Sequence, residues 1–265
     1  MVEFAANAGI VADDGETVAD GVERAAELGV DAVEFFDWEG ADLDAVRAAA
    51  DDHGVDIAGI LAAGAGSNID DRDAPAAVNP YDRETAVDDI ERSLDAAAEV
   101  GADCLIVTVG PDQGGFARDT QRRALERVLG DVAPAAEDAG VTVVVEPLNT
   151  VVDHPGYFLE SSREAFDVTR SVGSDRVQVL FDAYHQQITE GDVIRNLTGN
   201  VDQVGHVHVA DNPGRTEPGS GEMAYGNIFD ALDDAGYDGY VGMEFFATTD
   251  GTSMVEGIRG TMELD

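Results

Sequence analysis

Ala139-Gly140-Val141-Thr142-Val143-Val144-Val145-Glu146-Pro147 carries three signals in one short stretch. A glycine just past an Ala-rich amphipathic segment ends a helix. A short apolar run follows as a buried strand, and a carboxylate stands where that strand ends. Working outward, a glycine again precedes an apolar run at Leu28-Gly29, His53-Gly54, Val100-Gly101 and Ala235-Gly236. The runs are Val2–Ala6, Asp31–Phe36, Asp56–Ala62, Asp103–Val109, Val141–Glu146, Val177–Asp182, Val204–Ala210 and Tyr240–Phe246. Helical patterns lie between them at Thr17–Leu28, Asp42–His53, Arg83–Val100, Asp119–Ala139, Ser161–Val172, Ile188–Leu197 and Tyr225–Ala235.

Eight such βα units in 265 residues have the size and rhythm of an α/β protein built as a (β/α)8 TIM barrel. A doubly wound open sheet would place a Gly-rich phosphate loop after the first strand, and Asn7-Ala-Gly-Ile10 offers one glycine there. No linker or compositional shift divides residues 1–265, so the chain reads as one domain. The longest irregular stretch, Ala63–Asp82, reads either as a lid over the C-terminal face or as a decorative loop.

Charge narrows the function. The chain has 55 acidic against 15 basic residues, a formal net charge of −40, and every basic residue is arginine. Without lysine, Schiff-base and P-loop chemistry are excluded. Nucleic acid is an unsuitable partner, because phosphate backbones need clustered basic residues. With 44% hydrophobic residues in periodic runs, the acidity reads as a folded surface rather than disorder. Such a surface suits a salt-rich cytoplasm, since the Debye length falls to about 3 Å at 1 M salt. The single cysteine, Cys104, sits in an apolar run and reads as a core thiol. No secretory leader and no apolar segment of spanning length is visible, so no membrane association is expected.

The last four runs end on Glu146, Asp182, His208 and Glu244, spaced 36, 26 and 36 residues apart. Strand parity points all four into the barrel mouth, where such enzymes build their sites. Three carboxylates and an imidazole meeting there need a neutralising partner. A divalent metal ion is the simplest, Mg²⁺ or Mn²⁺ most naturally, with Co²⁺ or Zn²⁺ as further candidates. The bland alternative is that they cap strand ends or pair with arginine. His185 lies three residues past Asp182 and can face a ligand. Arg215 lies in a Gly/Pro-rich loop directly after the seventh strand, where a guanidinium either holds a carboxylate or makes a surface pair. His206 shares the inward parity one layer deeper and reads as a hydrogen-bonded core histidine. Glu34 faces the same mouth and either bonds the site or simply pairs. His53 and Trp38 read as structural.

Phe4-Ala-Ala-Asn7, Gly29-Val-Asp-Ala-Val-Glu-Phe35, Glu146-Pro-Leu-Asn-Thr150, Asp153-His-Pro-Gly-Tyr157, Asp182-Ala-Tyr-His185, Ala210-Asp-Asn-Pro-Gly-Arg215 and Glu217-Pro-Gly-Ser-Gly-Glu222 resemble the hydroxypyruvate isomerase family of xylose-isomerase-like barrels. The resemblance runs along nearly the whole chain and is strongest from Glu146 to Glu244. It implies that Glu146 and Glu244 are the acid/base pair. It also implies that Glu146, Asp182, His208 and Glu244 surround a divalent metal, and that His185 and Arg215 touch substrate. Two positions depart from the pattern. Many relatives carry Gln where His208 stands, and a terminal Glu-Tyr-Lys-Pro is replaced by Glu244-Phe-Phe-Ala247.

The expected reaction is isomerisation of hydroxypyruvate to 2-hydroxy-3-oxopropanoate. The alternative is a sugar or longer oxo-acid isomerase or epimerase of the same superfamily. An endonuclease would need a multi-zinc site and a basic groove, against five histidines and a charge of −40. A non-catalytic sugar-binding barrel is the remaining reading. A homo-oligomer is left open.

Overall fold

The computed structural model describes residues 2–13, 15–246 and 254–264. Eight parallel strands close into a barrel in sequence order, β1 Glu3–Asn7, β2 Ala32–Phe35, β3 Asp56–Leu61, β4 Cys104–Val107, β5 Thr142–Val145, β6 Val177–Asp182, β7 Val204–Val209 and β8 Tyr240–Met243. β8 returns to β1 through the register Glu3↔Tyr240 to Ala6↔Met243. The outer helices are α1 Ala8–Val11, α2 Val18–Leu28, α3 Leu43–His53, α4 Arg83–Val100, α5 Arg118–Ala139, α6 Ser162–Val172, α7 Ala183–Thr189, α8 Val193–Thr198, α9 Tyr225–Ala235 and α10 Met254–Met262. No helix among the described residues is long and apolar enough to cross a membrane.

Alternation along each strand divides the core. Outward residues such as Val33, Phe35, Leu105, Val143, Val145, Phe181 and Val241 join the helices in the main apolar cluster. Inward residues make two small clusters, Cys104, Ile106, Val144 and Leu180 in one, Ala5, Ala32 and Ala58 in the other. The barrel floor is therefore packed. Cys104 lies in it, 2% exposed, and burial pushes its thiol up.

The glycines at 29, 54, 101, 140 and 236 all cap their helices in the left-handed conformation. Thr17, Asp42 and Ser161, which head three of the helical patterns, serve as N-caps outside the helices. The single helix expected over Ile188–Leu197 is instead two, α7 and α8. The chain breaks at Gly191 and Asp192, whose φ values of 63° and 50° cannot continue a helix. The short α1 and the terminal α10 have too few periodic positions to stand out in the sequence. The long loop after β3 is wedged into the barrel top. Its Ala76, Ala77 and Val78 are fully buried, Thr108 N donates to Gly66 O at 2.8 Å, and Val78 N donates to Val109 O at 3.2 Å.

Candidate active site

Two register shifts accompany the functional positions. One falls between Val33 and Glu34 where β2 meets β3, the other between Val179 and Leu180 where β6 meets β7. After the second shift Asp182 stands beside His208, and His208 beside Gly242. β-bulges commonly re-aim side chains in this way.

Glu146, Asp182, His208 and Glu244 come together at the C-terminal mouth, each offering one ligand atom within 4.8 Å of the others. Glu146 follows β5, its amide bonded to Val107 O at 3.1 Å. The hydroxyl of Tyr157 donates to Glu146 O at 2.9 Å and accepts from Val109 N at 2.8 Å, locking the strand end. Asp182 caps α7 with one oxygen only. Oδ1 accepts from Tyr184 N at 2.7 Å and His185 N at 3.2 Å, which leaves Oδ2 turned away from the helix. His208 Nδ1 is 3.0 Å from Glu244 Oε2 and 3.9 Å from Glu146 Oε1.

Glu146 Oε1 and Asp182 Oδ2 are buried and have no hydrogen-bond partner among the described residues. Two orphaned carboxyl oxygens converging beside an imidazole and a third carboxylate fit a hard divalent cation. This is a candidate metal site of three oxygen donors and one nitrogen.

The two glutamates differ in charge state. Burial, reinforced by the Glu244 charge, pushes the Glu146 carboxyl far up, to about 8 in the metal-free protein. Burial acts on Glu244 in the same direction, but the Arg215 charge and the His208 hydrogen bond outweigh it and hold that carboxyl well below the usual range.

His185 is fully buried three residues past Asp182. Its Nδ1 accepts from Asn149 Nδ2 at 2.6 Å, so the ring hydrogen is assigned to Nε2. That Nε2 has no hydrogen-bond partner and lies 3.6 Å from Asp182 Oδ2. Burial lowers the imidazole's basicity and keeps it neutral. Asn149 also donates to Asp153 Oδ2 at 2.6 Å, and Tyr184 donates to the same oxygen at 2.9 Å.

Arg215 reaches the site from the loop after β7, with Nη2 2.8 Å from Glu244 Oε2 and 3.9 Å from Asp182 Oδ2. Its guanidinium stands 5.6 Å from the Tyr184 ring centre, and its Nε is buried with no hydrogen-bond partner among the described residues. The residue itself sits at φ 54°, an uncommon conformation for a side chain larger than glycine's. Buried Asp211 over-determines that loop by accepting from Asn212 N at 2.9 Å, Met223 N at 3.1 Å and Gly219 N at 2.8 Å. Phe246 N closes it by donating to Arg215 O at 2.8 Å.

His206 lies one layer below and Glu34 beside it, in contact with each other and with His208. His53 ends α3 away from the mouth. Asn149, Asp153, His154 and Tyr184 carry no signal of a role in the sequence beyond lying within stretches that carry the family resemblance. The His154 ring is 5.3 Å from that of His185, a proximity that only the loop path creates.

The chain matches the xylose isomerase-like TIM barrel family over residues 22–263 and belongs to it. It is 38% identical over 156 residues to 2-oxo-tetronate isomerase of Cupriavidus necator, a match spanning 59% of this chain and 60% of that protein. It is 29% identical over 251 residues to hydroxypyruvate isomerase of Escherichia coli, covering 92% of this chain and 93% of that one. The crystal structure of AP endonuclease, family 2 from Brucella melitensis superposes with a TM-score of 0.87 at 26% identity, covering 99% of both chains. Within the family the chain is an isomerase, similar to hydroxypyruvate isomerase.

Proposed function

We propose that the protein interconverts hydroxypyruvate and 2-hydroxy-3-oxopropanoate (tartronate semialdehyde) by proton transfer between Glu146 and Glu244 through an enediolate. The observation that carries this reading is the meeting of these two carboxyls, from β5 and β8, with Asp182 and His208 at one mouth. The reaction removes a proton from C3 and returns one to C2, while the hydroxyl hydrogen leaves O3 and one arrives on O2. One glutamate accepts the C3 proton and the other delivers to C2. They titrate as a set, so the roles belong to the pair.

Glu146, Asp182, His208 and Glu244 would hold a divalent cation, Mg²⁺ or Mn²⁺ ahead of Co²⁺ or Zn²⁺. When bound, that ion supplies electrostatic stabilisation for negative charge developing on the substrate oxygens. The neutral His185 presents its free Nε2–H to a substrate oxygen. Arg215 has its Nη2 committed to Glu244 and turns the exposed part of its guanidinium to the substrate carboxylate. A salt-rich cytoplasm suits the enzyme, because screening lets an anionic substrate approach a chain of charge −40.

A second reading, isomerisation or epimerisation of a longer oxo acid or a sugar, is favoured by Phe246. This side chain is 64% exposed at the rim, at the position where the family resemblance leads one to expect a lysine. Incubation with hydroxypyruvate in D2O, with and without Mg²⁺ or Mn²⁺, tests the first reading. Deuterium should enter the carbon-bound positions with wild type and not with Glu146→Gln. No exchange under either condition refutes it. Turnover of 2-oxo-tetronate in preference to hydroxypyruvate selects the second.

A further inference from the structure

Beneath the ligand cluster, Glu34 reaches the barrel axis from β2 and is fully buried. Its Oε2 accepts from His206 Nε2 and from His208 Nε2, each at 3.1 Å. The two imidazoles stand 4.9 Å apart and nearly perpendicular, so both nitrogens converge on one oxygen. A single carboxylate oxygen can take both contacts only if each Nε2 carries its hydrogen. The other nitrogen of His208, Nδ1, is then the one turned toward Glu244 and Glu146.

The backbone is shaped for this contact. The register shift between Val33 and Glu34 falls immediately before the carboxylate. On β8 the neighbour of His208 is Gly242, where a Cβ would lie 2.7 Å from His208 Cδ2 and 2.8 Å from Glu34 Oε2. Packing alone does not account for Glu34. It is a buried ion whose second oxygen, Oε1, has no hydrogen-bond partner among the described residues, and an apolar side chain would fill the space without that desolvation cost.

We propose that Glu34 is a positioning residue. It holds His208 with Nε2 protonated and so presents Nδ1 as the nitrogen ligand of the cation. The inference rests on the cation site proposed above. Glu34 acts through His208, and His206 acts as a second donor that fixes the carboxylate's orientation. Outer-shell carboxylates of this kind commonly set the tautomer and aim of a ligating histidine.

The test is Mn²⁺ titration calorimetry of the purified enzyme together with electron spin-echo modulation from the ¹⁴N nucleus bound to manganese. Wild type should bind one Mn²⁺ with a ¹⁴N signal that His208→Ala abolishes. Glu34→Leu should bind about 10- to 100-fold more weakly, with the ¹⁴N signal reduced or lost and the circular dichroism unchanged. Glu34→Gln, which keeps an acceptor oxygen, should retain the signal and most of the affinity. If Glu34→Leu does not fold, Gly242→Ala, whose methyl displaces this contact, should show the same loss. Wild-type affinity and ¹⁴N coupling in a folded Glu34→Leu overturn the proposal. So do two ions in wild type and one in Glu34→Leu, which would make Glu34 a ligand itself. The cation reading fails separately, if wild type binds no Mn²⁺ or if Asp182→Asn leaves binding untouched.

Discussion

Arg215 Nη2 and Glu244 Oε2 meet at 2.8 Å, joining the loop after β7 to the end of β8. The chain thus neutralises one of its three clustered carboxylates itself. The Arg215 side chain remains 14% exposed, and its buried Nε has no hydrogen-bond partner among the described residues.

Replacing Arg215 by Gln should therefore weaken substrate capture and also release the Glu244 carboxyl upward. Loss of a charge-assisted contact costs ~1.5–3 kcal/mol, about a 10- to 150-fold drop in kcat/KM for an anionic oxo acid. The loss should raise KM and, through Glu244, lower kcat as well. Steady-state kinetics at molar salt check this, and an unchanged KM would remove Arg215 from the substrate's partners.

Glu146→Gln keeps the shape of the side chain and removes its proton chemistry. Turnover should fall by about 10²–10⁴-fold. The thermal midpoint of the metal-free variant should not fall, because a buried ionisable group has been replaced by a neutral isostere. Kinetics and a melting curve on the same preparation read both outcomes.

The raised carboxyl of Glu146, at about 8 against an ordinary 4.5, sets a pH dependence with a definite sign. Between those values the folded metal-free protein holds a proton that the unfolded chain has lost. Its stability is therefore full below 4.5 and declines as pH rises toward about 8. At pH 7, cation binding should displace that proton and the one His208 Nδ1 donates to Glu244, giving release of up to about two protons per site in calorimetry across buffers of different ionisation enthalpy. Glu146→Gln should lose the stability slope and lower the release by about one proton.

Glu34 has the opposite sign. Burial raises its carboxyl, but the charge and hydrogen bonds of His208 and His206 prevail and hold it at about 2. Its contribution is present above 4.5 and is lost as pH falls toward about 2. In metal-free protein the stability gap between wild type and Glu34→Gln should narrow over that window, as acid titration of the two unfolding transitions would show.

A formal charge of −40 should make the fold salt-dependent. At low ionic strength the surface carboxylates repel, and at 1 M salt the screening length of about 3 Å removes most of that repulsion. The melting temperature should rise steeply with molar KCl. A flat response would separate the acidity from any adaptation to salt.

Periodicity and punctuation in the sequence determined the eight-unit barrel, because apolar runs and helix-ending glycines are local signals that need no partner. They also determined which four side chains end the last strands, since parity along a strand is a property of the backbone. The Gly191–Asp192 break escaped that reading because a helical pattern of Ile188, Val193 and Leu197 does not reveal backbone φ. Tertiary structure alone decided that Glu34 reaches beneath His208, that Asn149 leaves His185 Nε2 free, and that Arg215 pairs with Glu244. These contacts join residues 36 to 174 positions apart or sit on loops with no period, and only barrel closure brings them within hydrogen-bond reach.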